Sequence, residues 1–233
     1  MGASEPLRSE RAVSPGVGLR RVVMRRSGDG AEADGIWDRE VHVWVVHGGW
    51  RRLARRGIAA TILASYVDAD PRALVFARGP HGKLELLTCG RSGERLAFST
   101  STAPGALALA VAAAPVGVDI EPRDRAVSVD GLVAAVCTPS ERRELAAAAT
   151  TAVASRREAF IWCWTGKEAC AKASGLGLGA PLELIDVGVG PVGGARVVAP
   201  VVAPTGAGDG ALGPWELHRV GELAEYAVAI ALL

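Results

Sequence analysis

The sequence predicts an α+β protein with two pseudo-symmetric halves, each a small, mostly antiparallel sheet packed with a long helix. Two observations favour this class. Each half shows a strand, a long segment with helical spacing, and then several short strands. The strands are rich in Val and Ala, and Gly and Pro separate them. The halves meet near Pro115, so we expect an N-terminal half over residues 41–115 and a C-terminal half over residues 116–233.

Composition and charge exclude several classes of protein. The chain has 233 residues, 49% of them hydrophobic, and a net charge of +1. This length can bury a sizeable core, and the charge attracts neither nucleic acid nor an anionic membrane. No apolar run approaches the roughly eighteen residues of a transmembrane helix, and no signal peptide is indicated. The four cysteines lack C-x-x-C spacing, which indicates reduced thiols. We expect a cytoplasmic monomer.

The first half is expected to follow an irregular lead-in. Residues 1–40 are rich in Gly, Ser, Arg, Asp and Glu and lack periodicity, which predicts an irregular or disordered segment. Residues 41–46 are β-branched and aromatic, which predicts a strand, and apolar spacing over 50–66 predicts a helix. Further strands are predicted at residues 73–76, 84–88, 95–99 and 106–113.

The second half begins with a strand that ends in acids. Residues 116–121 alternate, and Pro122 ends the strand. Thr138 is predicted as the N-cap of a helix, with Glu141 as its capping-box partner. A second helix runs from Ser155 to about Ser174, and its apolar residues lie on more than one side, so we expect it to be buried. Later strands are predicted at residues 182–189, 195–202, 215–220 and 226–232.

Asp119 and Glu121 project to the same face of the first strand of this half. Residues i and i+2 of a strand lie roughly 6–7 Å apart at Cα. Two acids so placed repel each other unless a cation lies between them, and Mg²⁺ prefers oxygen ligands. The alternative is an exposed strand face that ends in polar residues.

Glu168 and Lys172 are four residues apart on the long second helix, so they lie one above the other. An ordinary surface ion pair is the alternative. The helix is too apolar for a surface helix, however, and buried charges need a partner or a metal. Lys167 points about 100° away from Glu168 and is expected at another edge of the same pocket.

Three acids and a lysine together suit phosphoryl chemistry, in which a metal neutralises a pyrophosphate and a lysine steadies it. The chain has no G-x-x-x-x-G-K-[ST] segment, so a P-loop nucleotidase is not indicated. The glycine-rich residues 175–179 follow a helix rather than precede one, which predicts an exit turn and not a dinucleotide site.

Two segments resemble a known family. Residues 115–121 (PVGVDIE) and 164–172 (WTGKEACAK) are similar to the paired signature of 4′-phosphopantetheinyl transferases of the long, pseudodimeric, surfactin-synthetase-activating type. Residues 79–84 (GPHGKL) are similar to the family segment G-x-x-G-K-P, with Leu84 in place of proline. The resemblance covers roughly residues 41–233.

The resemblance implies an activity and its residues. Such enzymes transfer the phosphopantetheine arm of coenzyme A (CoA) to a serine of an apo acyl or peptidyl carrier protein and release adenosine 3′,5′-bisphosphate. By position, Asp119, Glu121 and Glu168 would ligate Mg²⁺ against the CoA pyrophosphate. Lys172 would contact the phosphate under attack. Glu141 would help to deprotonate the serine, with the capping box as its alternative role.

The resemblance also implies a cradle for the nucleotide end of CoA. Lys83, Arg52, Arg56 and Ser101 would contact its phosphates, although a solvated helix face is the alternative for the two arginines. Family members usually place a histidine after this serine, where the chain has Thr102. Threonine can donate a hydrogen bond but carries no charge, so weaker CoA binding is expected. The segment between the first strand and the first helix is also unusually short.

Two other functions stay open at this point. The first is a non-catalytic homologue that binds CoA or a carrier protein, which Thr102 and the shortened first half favour. The second is an unrelated Mg²⁺-dependent phosphohydrolase, for which no separate water-activating group is found in the sequence.

Overall fold

The structure is a computed structural model that describes residues 8–10, 18–25, 40–48, 52–90, 93, 95–126, 128–148, 156–190, 195–202, 211–221 and 223–233. The chain forms two compact units, Met1–Val116 and Gly117–Leu233. The functional division of the chain near Pro115 stays a prediction. The structure combines antiparallel sheets with four α-helices among the described residues, so the α+β class is confirmed. The pseudo-symmetry of the halves stays a prediction.

The first unit is a five-stranded antiparallel sheet with one long helix. Its elements in chain order are β1 (Arg8–Glu10), β2 (Gly18–Arg25), β3 (Glu40–His47), α1 (Arg52–Val67), β4 (Phe76–Arg78), β5 (Leu84–Leu86), β6 (Ala97–Ala103) and β7 (Ala106–Ala112). The sheet has the order β1-β2-β3-β7-β6, while β4 and β5 form a separate hairpin. Leu63 on α1 and Leu107 and Leu109 on β7 belong to one buried cluster, which packs the helix on the sheet.

Strands β1 and β2 correct the prediction that residues 1–40 are irregular. The register of β2 with β3 runs from Gly18 opposite His47 to Arg25 opposite Glu40, and Val22 is fully buried. Arginines interrupt the apolar pattern of β2, so the sequence pattern that would predict a strand there is weak. The pairing with β3 is a long-range interaction that a local pattern does not contain. Residues 1–7, 11–17 and 26–39 lie outside the described part of the chain.

The second unit is a four-stranded sheet with three helices. Its elements are β8 (Val116–Pro122), α2 (Val129–Val136), α3 (Pro139–Ala148), α4 (Arg156–Ser174), β9 (Ala195–Val198), β10 (Val201–Val202), β11 (Ala211–Leu212), β12 (Trp215–Val220) and β13 (Tyr226–Leu232). The sheet has the order β8-β13-β12-β9, and β10 pairs with β11. Helix α2 was not predicted.

The strand predicted over residues 182–189 is wrong. Leu182–Leu184 is a short 3-10 helix, and the following residues are irregular. Side chains, rather than a neighbouring strand, supply hydrogen-bond partners for the backbone of these residues. Arg219 donates to the carbonyl oxygens of Val187 and Gly190 at 2.9 and 2.7 Å, so the Val-rich pattern there reflects burial without sheet pairing.

Helix α4 is the centre of the second unit. Twelve of its nineteen residues are buried, as its apolar residues on several sides predict. Phe160 and Trp162 pack in one cluster with Trp215 of β12 and with alanines of β13. None of the helices in the described part of the chain is long and apolar enough to cross a membrane.

Candidate metal and phosphate site

A glycine allows β8 to lie directly against the backbone of α4. A Cβ atom at Gly117 would lie 2.0 Å from the carbonyl oxygen of Ala169 and 2.4 Å from the amide nitrogen of Ala173. Real Cβ atoms do not approach backbone this closely, so only glycine fits. Asp119 lies two residues further along the same strand face. Glu168 and Lys172 are the immediate chain neighbours of the two alanines, so this contact brings the strand acid to the helix pair.

Asp119 and Lys172 join the strand to the helix. Lys172 Nζ donates to Asp119 Oδ1 at 2.6 Å, and the Asp119 side chain is 5% exposed. The sequence alone places Lys172 beside Glu168 on the helix. The structure adds that its ammonium group reaches across to the strand.

Glu121 is paired with a residue that the sequence alone does not single out. Arg125 Nη1 donates to Glu121 Oε1 at 2.5 Å. The chain turns after Pro122, since the Arg125 amide donates to the Pro122 carbonyl at 3.1 Å, and the turn returns the guanidinium to the acid. The sequence does contain a signal for this pair, which is a basic residue four positions after an acid, across a proline turn.

The charge of Asp119 reaches both other acids. Burial raises the pKa of Glu168, and the Asp119 carboxylate raises it further, while Lys172 opposes the rise. Burial and Asp119 likewise raise the pKa of Glu121, against the opposing effects of Arg125, Trp164 and Lys172. The three predicted metal ligands therefore share one electrostatic environment.

The donor set fits a hard divalent cation. Three carboxylates face two cationic side chains, so the group carries an excess of negative charge that a cation would relieve. All the candidate donors are carboxylate oxygens, which Mg²⁺ prefers. Asp119, Glu121 and Glu168 are thus suited to hold it, with Lys172 beside them.

A second group of possible metal ligands lies in the core of the same unit. Within the described part of the chain, only Cys137, Glu141 and Cys163 bring three such donor atoms within 4.8 Å of one another. The oxygens of the three site acids are thus not all this close. A hydrogen bond with Cys137 and burial raise the pKa of the Cys163 thiol, which makes it a poor ligand. The ammonium group of Lys167 already balances Glu141 at 2.7 Å.

Glu141 and Lys167 are fully buried, which differs from the expectation that Lys167 lines the pocket. Glu141 accepts from the amides of Thr138 and Val187, both at 2.8 Å, and the Glu141 amide contacts Thr138 Oγ1 at 3.2 Å. The two reciprocal bonds between Thr138 and Glu141 confirm the capping box. Lys167 donates to the carbonyl oxygens of Leu182 and Ile185. These contacts give both residues a role in holding the core together. The general-base role of Glu141 stays a prediction.

The residues expected to bind the nucleotide of CoA belong to the first unit. Lys83 Nζ donates to the Val116 carbonyl at 2.9 Å, and burial lowers the pKa of Lys83. Ser101 and Thr102 are consecutive on β6, so their side chains point to opposite faces of the sheet. Arg56 is exposed on α1, and Arg52 is the first residue of this helix. Their roles stay predictions.

Comparison with known proteins agrees with the chemistry of the strand–helix site. A family model described as ACPS, the 4′-phosphopantetheinyl transferase superfamily, matches residues 115–231, which are half of the chain. The chain therefore belongs to the 4′-phosphopantetheinyl transferase superfamily, whose members act on CoA and carrier proteins and generally use a divalent metal. The matched segment contains β8 and α4 with all four site residues. No curated protein matches the chain.

Proposed function

We propose that the protein transfers the 4′-phosphopantetheine group of CoA to a serine of an apo acyl or peptidyl carrier protein, with Mg²⁺ as the metal. The observation that supports this proposal is the meeting of Asp119, Glu121, Glu168 and Lys172 where β8 contacts α4, inside the segment that matches the family.

The site residues have two parts in this reaction. Asp119, Glu121 and Glu168 would hold the metal, which would supply positive charge beside the pyrophosphate of CoA. Lys172 binds the phosphate under attack and stabilises the charge that develops on its oxygens. The carrier serine oxygen forms the new bond to phosphorus, and the bond to the departing adenosine 3′,5′-bisphosphate breaks.

The serine proton needs an acceptor in the same step. Glu141 is the acceptor that the family resemblance suggests. Its carboxylate is 0% exposed and is bound to Lys167, so we propose that water takes the proton instead. Lys83, Arg52, Arg56, Ser101 and Thr102 bind the nucleotide end of CoA in this proposal. The protein acts as a cytoplasmic monomer.

A carrier-labelling experiment tests the proposal. The protein is incubated with CoA, MgCl₂ and an apo carrier protein, and the carrier is then weighed by mass spectrometry. A mass gain of one phosphopantetheine group supports transfer. Glu168→Ala should abolish the gain, while Glu183→Ala, which removes an exposed acid of the same unit, should leave it unchanged. Labelling that survives in Glu168→Ala would contradict the metal assignment.

A non-catalytic homologue is the second candidate, and Thr102 in the position of the family histidine is the observation that favours it. In that case the protein binds CoA but labels none of several carriers. Cleavage of CoA without carrier labelling would instead indicate a hydrolase.

A further inference from the structure

Arg125 contacts the site acid Glu121 and is itself partly exposed to solvent. Its side chain is 43% exposed, whereas that of its partner Glu121 is 16% exposed. Its neighbour in the turn is held differently. The Arg123 guanidinium lies over the Trp162 ring at 5.2 Å and donates to the Gly221 carbonyl at 3.3 Å. Arg123 is thus part of the packing of the second unit, and Arg125 is the arginine of this turn that contacts a site acid.

The Arg125 contact would compete with a metal for Glu121. The guanidinium donates to Glu121 Oε1, an oxygen that a metal would also need. An ion pair with a partly exposed arginine contributes little stability, so exchange of this partner for a divalent cation has a small cost. The Lys172 contact with Asp119 is more deeply placed, since those side chains are 26% and 5% exposed.

The charge balance gives Arg125 a second partner once the metal is bound. The three carboxylates, Lys172 and a divalent cation sum to zero formal charge. An incoming pyrophosphate diester brings two negative charges to this neutral group. A guanidinium released beside it is the group best suited to meet them, because its planar donors match phosphate oxygens in a bidentate manner.

We propose that Arg125 is a phosphate-binding residue, which pairs with Glu121 in the metal-free protein and moves to a pyrophosphate oxygen of the CoA donor when the metal takes Glu121. This inference rests on the proposed function and adds a residue to the substrate site. It assigns Arg125 two successive partners, so its removal has opposite effects on the two ligands.

Isothermal titration calorimetry with Arg125→Gln separates the two effects. With MgCl₂ alone, the variant should bind the metal about 2–5-fold more tightly, because Glu121 no longer has a competing partner. With CoA in saturating MgCl₂, its dissociation constant should rise roughly 10–100-fold, since a charge-assisted hydrogen bond is lost. Arg156→Gln is the matched control, because Arg156 forms an exposed ion pair with Asp130 at 2.6 Å in the same unit. It should match the unmodified protein in both titrations.

Several results would overturn this assignment. Weaker Mg²⁺ binding by Arg125→Gln would show that the arginine only orients Glu121. An unchanged CoA dissociation constant would show that Arg125 does not contact the phosphate. An equal loss of CoA affinity in Arg156→Gln would show that the effect comes from net charge alone. The melting temperature of each variant verifies folding. If the unmodified protein neither binds CoA in a Mg²⁺-dependent manner nor labels a carrier, the proposed function fails as well, which these titrations distinguish from failure at Arg125 alone.

Discussion

Asp119 links the acids of the candidate site at the scale of single residues. Its buried carboxylate accepts from Lys172, and its charge adds to the effect of burial in raising the pKa of both Glu121 and Glu168. A carboxyl group whose pKa is raised by folding is less favourable as an anion in the folded protein than in the unfolded chain. The charges of Glu121 and Glu168 therefore reduce the stability of the metal-free protein near neutral pH.

Replacement of Glu168 by Gln should stabilise the metal-free protein at neutral pH. The change removes a half-buried charge that Asp119 repels, and each 1 kcal/mol of relief raises the melting temperature by about 2–4 °C for a protein of this size. The advantage should shrink as the pH falls through the raised pKa of Glu168, because the natural carboxyl group then becomes neutral. Thermal unfolding in the presence of a chelator measures both effects.

Glu183→Gln is the control for this prediction, since Glu183 is an exposed acid of the same unit. It should leave the melting temperature nearly unchanged. A lower melting temperature for Glu168→Gln at neutral pH would contradict the electrostatic account.

Glu141 and Lys167 form a fully buried ion pair, so its disruption should be costly. Lys167→Met leaves the Glu141 carboxylate in the core without its cation, which typically costs about 3–5 kcal/mol. Urea denaturation measures the loss. Arg156→Met, which breaks an exposed pair, should cost at most about 1 kcal/mol. Equal losses in the two variants would mean that burial does not govern the strength of the Lys167 pair.

At the scale of elements, the site depends on the contact between β8 and α4. Gly117 makes this contact possible, and neither element alone brings Asp119 to Glu168 and Lys172. Sequence patterns predict the strand, the helix and the four side chains. They assign no role to Gly117, because a glycine within a strand has no local signal that says which backbone it approaches.

Gly117→Ala should separate β8 from α4. The added methyl group would overlap backbone atoms of α4, which cannot move as a flexible side chain can, so we expect a loss of about 3 kcal/mol or more and a loss of metal binding. Denaturant unfolding and calorimetry measure the two effects.

Gly131→Ala is the matched control for the Gly117 variant. Gly131 lies in α2, and no atom lies within 4 Å of the position that an added methyl group would take, so alanine should stabilise the helix by up to about 1 kcal/mol. If Gly117→Ala were as stable as the natural protein, the close contact of β8 with α4 would be wrong.

At the scale of the whole molecule, the proposed activity divides its binding tasks between two units. The metal ligands lie in Gly117–Leu233, while the residues predicted to hold the CoA nucleotide lie in Met1–Val116. Lys83→Met should therefore weaken CoA binding by roughly 10-fold or more, through loss of a charged phosphate contact, and leave Mg²⁺ affinity unchanged. Calorimetry with each ligand tests this separation.

Arg72→Met serves as the control for the Lys83 variant, because Arg72 is an exposed cation of the same unit. It should change neither affinity. A Lys83→Met variant that binds CoA normally would remove this lysine from the nucleotide site.

Local patterns in the sequence predict the α+β class, most elements and the acids and lysine of the candidate site. β13 has the predicted bounds, and the Thr138 capping box forms as expected, because alternation, helical spacing and caps are local properties. Other features depend on long-range contacts. The pairing of β2 with β3, the irregular backbone after Leu184, the burial of Lys167 and the return of Arg125 to Glu121 depend on partners from elsewhere in the fold. Local patterns specify what a segment can form, but distant residues supply the hydrogen bonds and charges that select among the possibilities.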